Sequence, residues 1–140
     1  MKLPKKAVPI VALAAFFLLL AGPPSEAEEN AQQVAKQWLA LIDRGNYGEG
    51  WEQAAPYLQN AVKKDDLVRA LKAVRKPLGS VASRRLQSAQ PTTSLPGLPD
   101  GEYVVIQYHT VFAKKKKAVE TITPMRTGDG TWRVAGYYIR

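Results

Sequence analysis

The 140-residue sequence contains no cysteine and a single histidine, His109. The first absence excludes a disulfide framework, a thiolate metal site, a cysteine nucleophile and a lipobox cysteine for an N-terminal lipid anchor. The second excludes multi-histidine metal sites, because zinc sets draw on three or four N or S ligands. No metal and no cofactor are therefore expected. Acidic residues are also scarce, 12 against 20 Lys plus Arg, for a formal charge of +8. The length allows one ordinary domain and not two.

What is present is most legible at the start. Lys2, Lys5 and Lys6 precede an apolar run from Ala7 to Ala21, which is short of the roughly 20 residues that span a bilayer and has the form of a signal peptide. Ser25 and Ala27 supply a small-x-small cleavage site. We expect residues 1–27 to be a signal peptide and residues 28–140 a single periplasmic or secreted domain that is not a lipoprotein. Cleavage would remove Lys2, Lys5, Lys6 and Glu26, leaving 17 basic and 11 acidic residues, a balance of +6. In the cytosol that charge would raise nucleic acid as a partner. Outside it, anionic envelope surfaces come first, so no nucleic acid is expected.

Ala31, Val34, Ala35, Trp38, Leu39 and Ile42 follow the i, i+3, i+4, i+7 spacing of one helical stripe, and Gly45 ends it. A second short helix from Tyr47 to Leu58 is broken or restarted by Pro56. A third is predicted from Asp65 to Arg75, capped by Asp65 or Asp66, with Leu67, Ala70, Leu71 and Val74 buried. Pro77 and Gly79 stop it. Beyond Gly79 the pattern turns to strands near 81–89, 102–112, 119–126 and 132–139. Helices first and strands after predict an α+β domain with helices covering one face of an antiparallel sheet.

The turns then set the faces. A Lys114–Lys117 loop makes Ala113 face Ala118, and a two-residue Asp129-Gly130 turn makes Gly128 face Thr131. On that register Val104, Ile106, Tyr108, Thr110 and Phe112 share the helix-covered face with Val119, Thr121, Thr123 and Met125, and with Trp132, Val134, Gly136 and Tyr138. His109 and Glu120 share the other face as diagonal neighbours. They are the weak catalytic candidates, a carboxylate beside an imidazole being the minimal general-base pair. A filled core or a small-ligand pocket could be built from Trp38, Trp51, Tyr108, Thr121 and Tyr138. Lys114, Lys115, Lys116 and Lys117 would stand at a hairpin tip, either as a solvated turn or as a contact to an anionic surface. Arg69, Lys72, Arg75 and Lys76 would line the exposed side of the third helix, followed by Arg84 and Arg85. They could bind an anion or pair with Asp43, Asp65 and Asp66.

The run Trp38-Leu39 through Asp43-Arg44-Gly45-Asn46-Tyr47 and Trp51, the segment Arg75-Lys76-Pro77-Leu78-Gly79 with Arg84, and the closing Phe112, Glu120-Thr121, Asp129-Gly130-Thr131-Trp132-Arg133-Val134 and Gly136-Tyr137-Tyr138 together resemble the bacterial family called domain of unknown function four-thousand-and-nineteen. The resemblance covers about residues 31–140 and implies an exported domain. The layout is also similar to the cystatin-like or nuclear-transport-factor-two-like group, in which helices pack into a curved sheet. That likeness implies a cone-shaped fold and no particular activity. Enzymes of the wider group place acidic or histidine side chains inside the cone, and the derived inner face has neither.

The sequence therefore points to a non-enzymatic envelope module that binds a protein or small ligand. The alternatives are a small-molecule enzyme or carrier using the cone interior, and an electrostatic adaptor working through the lysine tip. Val105, Val111, Ile122, Tyr137 and Ile139 would make the outer sheet face apolar enough for a homodimer.

Overall fold

The computed structural model describes residues 22–140; the n-region and apolar run of the expected signal peptide lie outside the described residues. Helix α1 spans Glu26–Asp43, with the Ser25 side chain accepting from the Glu28 N–H at its N-terminus. Three acidic residues in the first turn suit the positive end of the helix dipole. Ala31, Ala35, Trp38, Leu39 and Ile42 are buried along one stripe, as the spacing predicts. Gly45, at φ +78, ends the helix.

Helices α2 (Tyr47–Glu52) and α3 (Pro56–Ala61) divide at Pro56, which occupies the first turn of α3, where its missing N–H costs nothing. Helix α4 covers Lys64–Arg75 and runs into a single 3-10 turn, Lys76–Leu78. Neither Asp65 nor Asp66 caps α4. Lys63 holds the cap position without a side-chain bond, and the two aspartates lie inside the first turn, where the dipole alone favours them. Val74 is 47% exposed, and Arg75 is buried at 6% in the next position. The inward stripe thus runs Leu67, Leu71, Arg75, and Arg75 is not on the exposed side with Lys72 and Lys76.

Strands β1 (Val81–Thr92), β2 (Tyr103–Phe112), β3 (Lys115–Arg126) and β4 (Trp132–Ile139) form an antiparallel sheet in the order of the chain. Helix α1 crosses it and touches all four strands. The core lies between them: Trp38, Leu39 and Ile42 against Val104, Ile106, Tyr108, Ile122 and Val134. No helix among the described residues is long and apolar enough to cross a membrane.

Two features overturn the derived register. The β2–β3 connection is not a four-lysine loop. Phe112 pairs with Lys115, so the turn is Ala113-Lys114, and Lys115, Lys116 and Lys117 belong to β3. Neither turn residue has positive φ, and the irregularity between Thr110 and Phe112 absorbs the mismatch in strand twist. From there Tyr108 faces Glu120 and Ile106 faces Ile122, which moves the even-numbered residues of β3 to the helix side.

The second feature is Pro124, within an inner strand. It cannot donate to the ladder, and the pairing slips there: Thr123 faces Gly136 but Pro124 faces Val134, leaving Ala135 extra. The predicted pairing holds from Glu120 to Thr123. Because β3 has turned over, that held pairing carries Tyr137 and Ile139 to the helix side and Tyr138 away from it, 57% exposed, while the slip keeps Val134 inward. The outer face accordingly keeps Val105 and Val111 but loses Ile122, Tyr137 and Ile139.

Candidate functional site

Four charged side chains meet on the helix side of the sheet, each from a different element. Asp43 is the last residue of α1, Arg75 the last of α4, Arg84 lies in β1 and Glu120 in β3. Arg84 pairs with Thr110 on β2, and its guanidinium reaches past that strand to the Glu120 carboxylate. Its Nε donates to Oε1 at 2.7 Å and its Nη2 to Oε2 at 3.2 Å. The same guanidinium donates to Asp43, Nη1 to Oδ2 at 2.8 Å and Nη2 to Oδ1 at 3.0 Å. Arg75 Nη2 donates to Asp43 Oδ1 at 2.8 Å. Two cations and two carboxylates close a neutral network.

Glu120 is wholly buried. Besides Arg84 it accepts from Thr110 Oγ1 at 2.5 Å and from the Tyr137 hydroxyl. Those four bonds match the roughly four acceptor sites of a carboxylate, so no lone pair remains for another donor. Tyr137 is held in turn by the edge of Trp38, ring centroids 5.2 Å apart, and the Trp38 indole N–H donates to the Gly50 carbonyl at 2.8 Å. Burial raises the Asp43 pKa, but the hydrogen bonds from Arg84 and Arg75 outweigh it and hold the carboxyl below its usual value. Burial alone would lower the Arg84 pKa, and bonding to Asp43 and Glu120 instead pushes it above the ordinary arginine value. The Tyr137 hydroxyl is pushed well up by burial and by the negative charge of Glu120. Tyr108 is also pushed up, first by burial. Its hydroxyl is buried without a hydrogen-bond partner, as are Nε and Nη1 of Arg75. The Arg75 guanidinium lies over the Phe112 ring, 5.1 Å from its centre.

The His109–Glu120 pair does not form. His109 faces Val119 on the outer side, and Glu120 faces Tyr108 on the inner side. The expectation that the inner face holds no acid is overturned by the same shift. The five pocket candidates are not brought together. Trp38 and Tyr108 are in the core, Trp51 donates its indole N–H to the Val62 carbonyl, and Thr121 and Tyr138 pair on the outer face. Lys114 alone of the four lysines occupies the turn, and all four are exposed. Among the described residues, no three His, Asp or Glu side chains converge as a metal site would require. The network's members were within reach of sequence reasoning. Arg75 stands four residues after Leu71 on the buried stripe, and Asp43 is among the carboxylates open to the basic group, but pattern alone does not say which polar residue turns inward.

The sequence matches the family described as "Protein of unknown function (DUF4019)" over residues 34–137. No curated protein matches it. Among solved structures it is similar to a candidate ketosteroid isomerase from Shewanella frigidimarina NCIMB 400, with 17% identity, covering 79% of this chain and 94% of that one at a TM-score of 0.52. A protein from Catenulispora acidiphila shows 14% identity over 80% of this chain and 88% of that one, with a TM-score of 0.49. At such identity the first likeness speaks for the fold alone, that of the nuclear-transport-factor-two-like group. With most of the chain matched in sequence and the fold agreeing, the protein belongs to the DUF4019 family.

Proposed function

We propose that this protein is an exported, non-enzymatic binding domain of the bacterial envelope, which meets its ligand or partner at the surface and uses its interior for stability. One observation carries this reading. Glu120, the acid inside the cone, has its acceptor sites occupied by Arg84, Thr110 and Tyr137. A general base must offer a lone pair to the proton it takes. The basic start of the chain, the apolar run to Ala21 and the Ser25-x-Ala27 site support export.

The isomerase description of the structural neighbour supplies the second reading, and Glu120→Gln separates the two without a known substrate. If Glu120 is a counter-ion, the variant leaves Arg84 with a buried charge only partly compensated and loses about 3–5 kcal/mol in denaturant unfolding. If it is a catalytic base held ready at a cost to the fold, the variant is as stable as the parent or more so. A neutral or stabilising result, or turnover of a ketosteroid that Glu120→Gln abolishes, would sink the proposal.

A further inference from the structure

A basic cleft runs along the C-terminal end of α4, outside the network. It consists of two adjoining cavities that share Lys72 and Lys76. One, of about 560 Å³, has Arg69, Ala73, Pro77 and Lys114 as its remaining walls. The other, of about 370 Å³, reaches inward to Arg75, Asp43 and Ser80. Both fall within the range of small-ligand sites.

The wall facing α4 is set by main-chain bonds. Ala113 N–H donates to the Ser80 carbonyl at 2.8 Å and Lys114 N–H to the Leu78 carbonyl at 2.9 Å, locking the β2–β3 turn to the segment after the 3-10 turn. Gly79, at φ +75, lets the two strands of chain approach so closely that a Cβ there would lie 3.1 Å from that of Ala113. The backbone of that wall is therefore fixed before a ligand arrives, which removes one part of the ordering cost of binding.

Its charge is unbalanced. Arg69 is paired with Asp66, but Lys72, Lys76 and Lys114 form no ion pair among the described residues. Asp43, the carboxylate lining the inner cavity, is already taken by Arg75 and Arg84. Arg75 lines the same cavity and carries two buried N–H donors, Nε and Nη1, that no protein atom accepts. Both atoms are closed off from solvent, so what Arg75 offers the cavity is a cation beneath its floor.

We propose that this cleft binds a phosphate monoester, its dianionic head drawn between Lys72 and Lys76 toward Arg75 and the attached group resting on Ala73 and Pro77. A dianion suits a site with three lysines in no ion pair, Lys72, Lys76 and Lys114, and the short apolar walls accept a carbon-bearing substituent. The proposal rests on the surface-binding reading and names its ligand class.

The test is a backbone amide NMR titration of the purified protein, expressed from the full-length sequence. The probes are inorganic phosphate, glycerol 3-phosphate, and phosphatidylcholine vesicles with and without phosphatidic acid. Saturable shifts confined to Lys72–Ser80 and Ala113–Lys114 are expected, and Lys72→Gln with Lys76→Gln should weaken binding by about tenfold or more. Lys115→Gln with Lys116→Gln removes the same charge from the neighbouring strand and should weaken it less than about twofold, as a screened distant charge does. Saturation by the soluble esters identifies a free phosphate ester, and binding to phosphatidic acid vesicles alone identifies a lipid headgroup. Equal losses in the two double variants would reduce the cleft to diffuse charge attraction and overturn the proposal, as would the absence of saturable shifts. Either failure leaves the surface-binding reading standing, since that falls only on the Glu120 results.

Discussion

Arg84 on the edge strand holds Glu120, two strands away, at 2.7 Å across the face of β2. The contact ties β1 to β3 by side chains where the backbone ladder joins each only to β2. Through Asp43 the same guanidinium ties the sheet to the end of α1, and Arg75 extends the tie to α4. Four elements that converge only in the folded chain are thus pinned at one point, by charges costly to leave unpaired.

Replacing Arg84 by Met should therefore cost about 3–5 kcal/mol, because Glu120 is left buried without its cation. Adding Glu120→Leu to the same chain should recover about half of that or more, since a buried pair exchanged for apolar groups of similar size is often neutral. Urea unfolding of both variants measures it. A double variant less stable than Arg84→Met alone would mean the pair contributes more than mutual compensation.

Part of the acid limb of stability should belong to Asp43. Its folded pKa lies below the unfolded value, so the unfolded chain binds more protons near that value and stability rises with pH there. The contribution is complete at neutral pH and is lost as pH falls below about 4 through the folded pKa. Asp43→Asn, less stable at neutral pH, should show a flatter decline when unfolding is followed between about pH 7 and pH 3. An unchanged slope would assign the acid limb to other carboxylates.

At the alkaline end the sign reverses. Tyr137 and Tyr108 have folded pKa values raised above the usual value near 10, so the folded chain keeps protons that the unfolded chain gives up. Stability should fall as pH climbs past about 10, and at least two of the six tyrosines should ionise only as the protein unfolds. Ultraviolet titration of tyrosinate reads this directly. If all six titrate together near 10 while the circular dichroism stays native, the hydroxyls are not buried as described.

Two glycines give a packing contrast. A Cβ at Gly50 would lie 2.8 Å from Ile42 Cδ1, beside the Trp38 indole whose N–H bonds the Gly50 carbonyl. Gly50→Ala should cost about 1–3 kcal/mol as an overpacked core does. Gly136 has nothing within 4 Å of the same position, and Gly136→Ala should change stability by less than about 0.5 kcal/mol or raise it slightly. Thermal unfolding of the two variants side by side is sufficient.

The helices and the fold class were legible in the residues. The 31, 34, 35, 38, 39, 42 stripe, the break at Pro56 and the stops at Gly45 and Gly79 are local chemistry, and each holds. The β2–β3 register was not, because four consecutive lysines have the composition of a loop and yet three of them extend a strand in water. Nor was the outward turn of Tyr138, which pairs with Thr121 and so follows the face that the β2–β3 register gives β3.

Sequence alone determined what depends on neighbours along the chain: which stripe of the first helix is buried, where the helices stop, that strands follow them, and the family. The tertiary structure decided which side of the sheet Glu120 faces, and with it the character of the interior. Side chains alternate along a strand, so one residue of register separates an acid in water from an acid that must find Arg84, Thr110 and Tyr137. Those partners lie 36, 10 and 17 residues away along the chain. No local pattern links them; the pairing of β1, β2, β3 and β4 in one sheet brings them within hydrogen-bonding distance.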